Sequence, residues 1–480
     1  MKQTLTQFLL NHKDRHPVSF HMPGHKGSAI YREHGYGAFL DSIMDCDITE
    51  IPGADNLFQT EGVLKETMDR YKAMYGTKES YLLVNGSSGG LIAAILASVP
   101  KGGKLVMARN CHKSIFNALS LGDITPIYAY PETVQEYGIL GSVSPEEVAR
   151  CLDAEPDAAA VILPSPNYYG ICSDVAAIAE VVHARGKILI IDQAHGAHLN
   201  FFNRYGLAAP GKTSASGFPA AAETAGSDVV INSIHKTLAS FTQTALLNLC
   251  SDRVDKYDLE DRLQAIESSS PSYPMMASLD INADLMEKYG PQLMKEWADN
   301  LNWFYETAEE EVPGLCIMRH PMLDATKLNI DMSAYGLDGN QLEELLMEEA
   351  IFVELVTGNI LMCMTGIGNK RCDFEKLLGA LKQIASERQL MEVKPQQPEA
   401  VTKALQMTKV PVRKERIPLE EAAGRVCASS VIPYPPGIPI VCPGEIFDEE
   451  VISYIAARRR AEEKVIGVDE LGRVAVGKEE

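Results

Sequence analysis

Two residues at the ends of apolar runs carry the clearest chemical signal in the chain: Asp192, in LIIDQAH, and Lys236, in INSIHKTLASFTQ. A lysine amine can form a Schiff base with an aldehyde. A carboxylate can hold a pyridine nitrogen protonated, so that the ring draws in electrons. A strand-end aspartate, followed by a strand that leads into Ser-x-His-Lys, is how a pyridoxal phosphate (PLP) site is presented. Either residue alone says little. A single lysine after a strand is ordinarily a surface residue, and an aspartate there is as readily a buried capping group. A Schiff-base lysine must also be partly desolvated so that a neutral amine is accessible. The apolar approach VVINSI fits that need.

The other parts of such a site are a phosphate cradle and a group packed on the ring. Gly86-Ser87-Ser88-Gly89-Gly90 joins a strand to a helix. Its N–H groups and the hydroxyls of Ser87 and Ser88 can hold a phosphate at the helix N-terminus, where the dipole favours an anion. Alone, such a turn is more often a plain loop. Ser233 and His235 flank the lysine, and either could complete the cradle. His112, in ARNCHKSIF, is equally a helix cap or an imidazole stacked on the pyridine face. His195 is counted with the cofactor-binding residues. His195 and His198, in DQAHGAH, could suggest a metal pair, but no third ligand has suitable spacing, and no metal is expected.

These residues need elements that bring them to one place. YLLVN (81–85) reads as a strand, GSSGG as a turn and LIAAILASV (91–99) as a helix. KLVMA (104–108), ITPIYAY (124–130), AAAVILP (158–164), KILIID (187–192), DVVINSI (228–234) and ALLNLC (245–250) read as further strands. Between them, HKSIFNALSLG reads as a helix ending at Gly122, and Ser144-Pro145-Glu146-Glu147 as a capping box with proline at the first helical position. Asp174 caps a helix with Val175, Ile178, Ala179 and Val182 on one face and Gly186 at its close. Short all-apolar strands alternating with amphipathic helices imply an α/β fold, with a mostly parallel sheet covered on both faces. Ligands in such sheets sit at the carboxyl ends of the strands. Ser87, His112, Asp192 and Lys236 are all expected at such ends.

Residues 326–390 change character, reading as strand, helix, strand (IFVELV), strand and helix, a small α+β unit. MEVKPQQPEAVTKA (391–404) reads as a linker, followed by PYPPGIPIVCPGE (433–445) and a charged helix, VISYIAARRRAEEK. The expected domains are 1–310, an N-terminal segment with the PLP-binding domain; 311–392, the small α+β domain; and 393–480, the linker and C-terminal domain.

The chain has 480 residues, 46% apolar and 23% charged, enough for two or three domains. Its net charge of −21 argues against a nucleic-acid partner. An acidic surface weakly favours cationic ligands. A soluble acidic cytosolic protein has the same charge. Ten cysteines without a C-x-x-C pair argue against a disulfide framework or a zinc site and for a reducing compartment, the cytoplasm. MKQTLTQFLLNHKDRH lacks the features of a secretory signal. The longest apolar runs are far short of the roughly 20 residues that span a bilayer, so no membrane partner is expected.

Several motifs in order resemble one family. HMPGHKG (21–27), DITEIPGADNLF (47–58), ARNCHKS (108–114), DQAHGAH (192–198), SIHK (233–236), SSSPSY (268–273) and YPPGIPIVCPGE (434–445) are similar to the fold-type I ornithine/lysine/arginine decarboxylases. The length resembles the short form, the bacterial arginine decarboxylases of the polyamine pathway. The resemblance implies a large domain like that of aspartate aminotransferase, with smaller α+β C-terminal domains. It implies PLP-dependent α-decarboxylation of a basic amino acid, arginine foremost, with lysine and ornithine open. It casts Lys236 as the Schiff-base lysine, Asp192 as the acid at the pyridine nitrogen, and His112 as the stacked histidine. Ser87, Ser88, Ser233 and His235 become phosphate contacts. Ser269 or Ser270 would reach the phosphate of a partner subunit, which implies a homodimer or a higher homo-oligomer. Glu445 would face the cationic end of the substrate. Three departures bear on tuning: Gly-Ser-Ser-Gly stands where the family often has Gly-Thr-Ser, Gln193 where short-form relatives often have glutamate, and His195 where long-form relatives have tryptophan. The competing readings are another fold-type I reaction, transamination or β-elimination, and a catalytically silent PLP-binding regulator.

Overall fold

The short aliphatic runs assemble into one seven-stranded sheet. Its order is Glu79–Leu83, Ala245–Leu249, Val229–Asn232, Ile188–Asp192, Ala160–Pro164, Lys104–Ala108 and Thr125–Ala129. The structure is a computed structural model that describes residues 3–210, 217–391, 405–434, 439–460 and 464–478. Every neighbouring pair in the sheet is parallel except those made by Ala245–Leu249, which runs antiparallel to both its partners. Strand residues alternate between faces, so Leu82 and Leu246 enter one hydrophobic core while Leu83 and Leu247 enter another. That double burial is why the central strands are rich in aliphatic residues.

The helices start and stop where their caps dictate. Asp174 accepts from Ala177 N at 3.1 Å and opens Val175–Ala184. Ser144 accepts from Glu147 N at 3.2 Å, with Pro145 in the first turn of Pro145–Ala154. The expected capping box is only half made, because the Glu147 carboxylate turns instead to Tyr130 N and to Arg150. GSSGG is not a turn before a helix. It is the first turn of the helix Gly86–Ser98, entered through Gly86 at φ +71°, a left-handed conformation that favours glycine. An added Cβ on Gly90 would lie 2.5 Å from Leu83 Cδ1, so this helix packs tightly on the strand that precedes it.

The helix Tyr273–Glu311, 39 residues long, links the large sheet to a four-stranded antiparallel sheet. The order there is Cys316–Ile317, Lys327–Asp331, Ile360–Met364 and Leu355–Thr357, joined by the helices Gly339–Glu348 and Arg371–Ser386. IFVELV is not one strand. Ile351–Val353 leaves this sheet to pair in parallel with Val18–Phe20, and Leu355–Thr357 returns to it. Glu354 stands at the break. The C-terminal segment has its own hydrophobic cluster, including Leu419, Phe447, Ile455 and Val474. It carries two antiparallel strand pairs, Lys414–Pro418 with Arg473–Gly477 and Ile432–Tyr434 with Lys464–Ile466, and the helix Glu449–Arg460. Apart from Met391, the expected linker at 391–404 lies outside the described residues, as do residues 435–438 of the Pro-Gly-rich stretch. No helix among the described residues is long and apolar enough to cross a membrane.

Candidate active site

A cavity of about 220 Å³ opens at the carboxyl ends of the parallel strands. Its walls include Ser87 and Ser88 after Glu79–Leu83, His112 after Lys104–Ala108, and Pro166 and Tyr168 after Ala160–Pro164. Asp192 and His195 come from the end of Ile188–Asp192, and Ser233, His235 and Lys236 from the end of Val229–Asn232. Eight of the nine expected residues therefore meet in one place, although they are scattered over 150 positions of sequence. Glu445 is the one that does not line it.

Lys236 is half-buried, and its Nζ lies 2.9 Å from His195 Nε2. Burial pulls its pKa down; Asp192 and then Glu354 oppose that pull, and Lys327 adds to it. A neutral amine is thus accessible where the sequence required one. Asp192 is 6% exposed, and its Oδ1 accepts from Ala194 N at 3.1 Å. Burial raises its pKa and Lys236 lowers it. A buried carboxylate with no other side chain hydrogen-bonded to it among the described residues suits a cationic ring nitrogen. His112 is a helix cap, and it also faces the cavity. It caps Lys113–Gly122, with Nδ1 accepting from Ser114 N at 3.3 Å, and it lines the cavity. Burial, then Lys236, pushes its pKa down to about 3. His195 is likewise neutral, driven well below its ordinary value by burial first and then by Lys236 and Lys327.

The cradle for an anion is built from two segments. Ser233 Oγ donates to Ser87 Oγ at 2.8 Å, which ties the lysine segment to the first turn of Gly86–Ser98. His235 also borders the cavity, and its Nδ1 is fixed against Thr244 O at 2.8 Å, which orients the ring. The residues present fit PLP: an amine, a buried acid, a neutral histidine, and a helix N-terminus bearing two hydroxyls. The buried Nδ1 of His195 has no hydrogen-bond partner among the described residues, a further polar atom available at this site.

HMPGHKG supports the lysine segment from behind. Gly24 N donates to His235 O at 2.6 Å, and a Cβ on Gly24 would lie 2.4 Å from Thr237 C, so only glycine fits there. Met22 lines the cavity, and its N–H donates to Glu354 Oε2 at 2.8 Å. Sequence reasoning missed Glu354, because its place depends on a strand break that the apolar run IFVELV concealed.

Glu445 does not line the cavity of this chain. Glu445 is fully buried, and its Oε2 accepts from Arg109 Nη2 at 3.1 Å and from Cys442 N at 2.7 Å. Arg109 also donates to the carbonyls of Pro439 and Ile440 at 2.7 and 2.8 Å, and stacks 5.2 Å from the Tyr128 ring. Its Oε2 is thus committed to its own chain, while the buried Oε1 of Glu445 has no hydrogen-bond partner among the described residues. Ser269 and Ser270 are exposed and lie outside the cavity of this chain. They directly follow Glu267, whose Oε2 accepts from Asn85 N at 2.9 Å, beside the cradle.

Comparison with known proteins places this arrangement. Residues 3–324 match the family model described as Orn/Lys/Arg decarboxylase, major domain, and residues 382–471 that of the C-terminal domain. The chain is 31% identical over 462 residues to an arginine decarboxylase of Bacillus subtilis (strain 168), covering 93% of this chain and 91% of that protein. It is 30% identical over 468 residues to an arginine decarboxylase of Halalkalibacterium halodurans, covering 94% and 92%. Its fold is similar to that of the constitutive lysine decarboxylase of E. coli, with a TM-score of 0.74 at 21% identity over 98% of this chain and 81% of that one.

Proposed function

Because this chain belongs to the Orn/Lys/Arg decarboxylase family, we propose that it is an arginine decarboxylase whose reaction is centred on Lys236. The chain is a PLP-dependent decarboxylase of a basic amino acid. The choice of arginine rests on relatives of that name, which are about 30% identical along nearly their whole length. The observation that carries the site assignment is the convergence of Lys236, Asp192, His112, Ser87 and Ser88 on one cavity.

When bound, PLP supplies the electron sink that takes up the pair left on Cα as carbon dioxide departs. The chain's own residues prepare for that step. Lys236 would hold the cofactor as a Schiff base, and Asp192 would keep the pyridine nitrogen protonated. His112 would face the ring, and the first turn of Gly86–Ser98 with Ser233 would hold the phosphate. Lys236 Nζ, which is close to His195 and shifted toward neutrality by burial, is suited to return a proton to Cα. Glu354 does not itself line the cavity, but it acts electrostatically on Lys236 and binds Met22 in the cavity wall, which supports a part for it at the cationic end of the substrate.

Two further parts of the reading concern assembly and compartment. The exposed Ser268–Ser270 segment, anchored through Glu267 beside the cradle, supports a dimer in which Ser269 or Ser270 reaches the partner's phosphate. Ten unpaired cysteines support a cytoplasmic location. The function is tested by offering arginine, lysine and ornithine to the purified holoenzyme and measuring carbon dioxide and product amine. Arginine should give the highest kcat/KM, and a preference for either of the others would overturn that assignment.

A further inference from the structure

One buried ion pair outside the cavity grips both ends of the loop that carries His195. Lys327, at the start of Lys327–Asp331, has no exposure, and its Nζ donates to Asp324 Oδ2 at 2.6 Å and to Thr326 Oγ1 at 3.2 Å. The same ammonium donates to the backbone carbonyl of His195. Asp324, also fully buried, accepts from His198 Nε2 at 3.1 Å and from Thr326 N and Oγ1 at 3.1 and 2.8 Å. The His198 ring is wedged between Phe202 and Trp297, with centroids 5.6 and 5.1 Å away. Residues 195 and 198 are therefore both fixed by the segment 324–327 that leads into one strand of the small sheet. Between them the loop has little freedom, and His195 Nε2 is left 2.9 Å from Lys236 Nζ.

We propose that Lys327, held by Asp324, is a positioning residue that sets where His195 stands against Lys236, and so couples the small sheet to the site. A buried lysine is costly unless it is paired and hydrogen-bonded, and apolar residues of similar volume often pack as well. Packing alone therefore gives no reason for a charged pair at this place. Its reach to the His195 carbonyl does. Lys327 also adds positive potential at both His195 and Lys236. The inference rests on Lys236 being the residue that holds PLP.

The test is the pair variant Asp324→Asn/Lys327→Met, which removes both charges and leaves neither uncompensated. The readouts are melting temperature, the pH midpoint of the cofactor's visible absorbance, and the split between kcat and KM. The variant should fold, raise the absorbance midpoint by about half a pH unit or more, and lose about tenfold or more in kcat with KM nearly unchanged. In a His195→Ala background the same change should cost less than about threefold in kcat, because the positioning effect passes through His195, whereas the direct effect of the Lys327 charge on Lys236 remains. A folded variant with the parent's midpoint and kcat would overturn the proposal, as would an equal loss of kcat without His195. If the pair variant does not fold, Thr326→Val removes one hydroxyl contact to both Lys327 Nζ and Asp324. It should give a smaller shift in the same direction, and no shift would count against the proposal. Lys236→Ala is the control for the underlying reading. If that variant keeps the parent's absorbance, the reading of the site fails, whatever the pair variant does.

Discussion

Glu445 and Arg109 form a buried ion pair, Oε2 to Nη2 at 3.1 Å, that ties residues 439–445 to the strand end from which His112 projects. Neutralising the carboxylate leaves the guanidinium uncompensated, and breaking a buried pair costs about 3–5 kcal/mol. Glu445→Gln should therefore lower the denaturant midpoint substantially at unchanged m, while KM for arginine stays within about twofold of the parent. A raised KM with parental stability would return Glu445 to the substrate's cationic end.

Glu354 should show the opposite split. Glu354→Gln keeps a group that can accept from Met22 N but removes the charge. KM for the basic amino acid should rise about tenfold or more, equivalent to about 1.4 kcal/mol of binding. The pH midpoint of the cofactor's absorbance should fall, because the Glu354 charge holds the Lys236 pKa up. An unchanged KM would exclude Glu354 from substrate recognition.

Asp192→Asn should keep the cofactor and lose about a thousandfold in kcat, on the order of 4 kcal/mol of barrier, because an amide cannot stabilise a pyridinium charge. Activity within about tenfold of the parent would make Asp192 a structural cap.

Glu267 gives the chain a pH dependence of stability. Burial raises its pKa from 4.5 to about 7, against the pull of the Val84 and Asn85 N–H groups. Between those values the folded chain holds a proton that the unfolded chain has lost, so this contribution is complete below about pH 4.5 and is lost as the pH rises through 7. Glu267→Gln mimics the protonated form. It should match the parent near pH 4.5 and be more stable by about 2 kcal/mol at pH 8. Denaturation curves at the two pH values that show the same difference would contradict this.

The sheet was legible because each of its strands is a short aliphatic run with both faces buried, and KILIID and DVVINSI end within two residues of their observed limits. Lys236, Asp192 and His112 were legible because strand ends in such a sheet share one edge. Local pattern failed where tertiary partners decide. IFVELV is uniformly apolar around Glu354, and only its pairing with Val18–Phe20 splits it. Ala245–Leu249 looks like its parallel neighbours, since burial on both faces imposes the same composition in either direction. The Asp324–Lys327–His198 cluster joins residues more than 120 positions apart, and nothing in DATK or GAH announces the other. Glu445 was assigned by family resemblance, and its burial against Arg109 is a contact that no spacing encodes.

The central claim is that Lys236 alone among the lysines holds the cofactor. Lys26 and Lys327 are its competitors, Lys26 half-buried beneath HMPGHKG and Lys327 fully buried beneath His195. Borohydride reduction of the holoenzyme followed by peptide mass mapping reads the attachment point directly. The account predicts the cofactor's mass on the peptide containing Lys236 and on no other. Attachment to Lys327, Lys26 or any other lysine would contradict it.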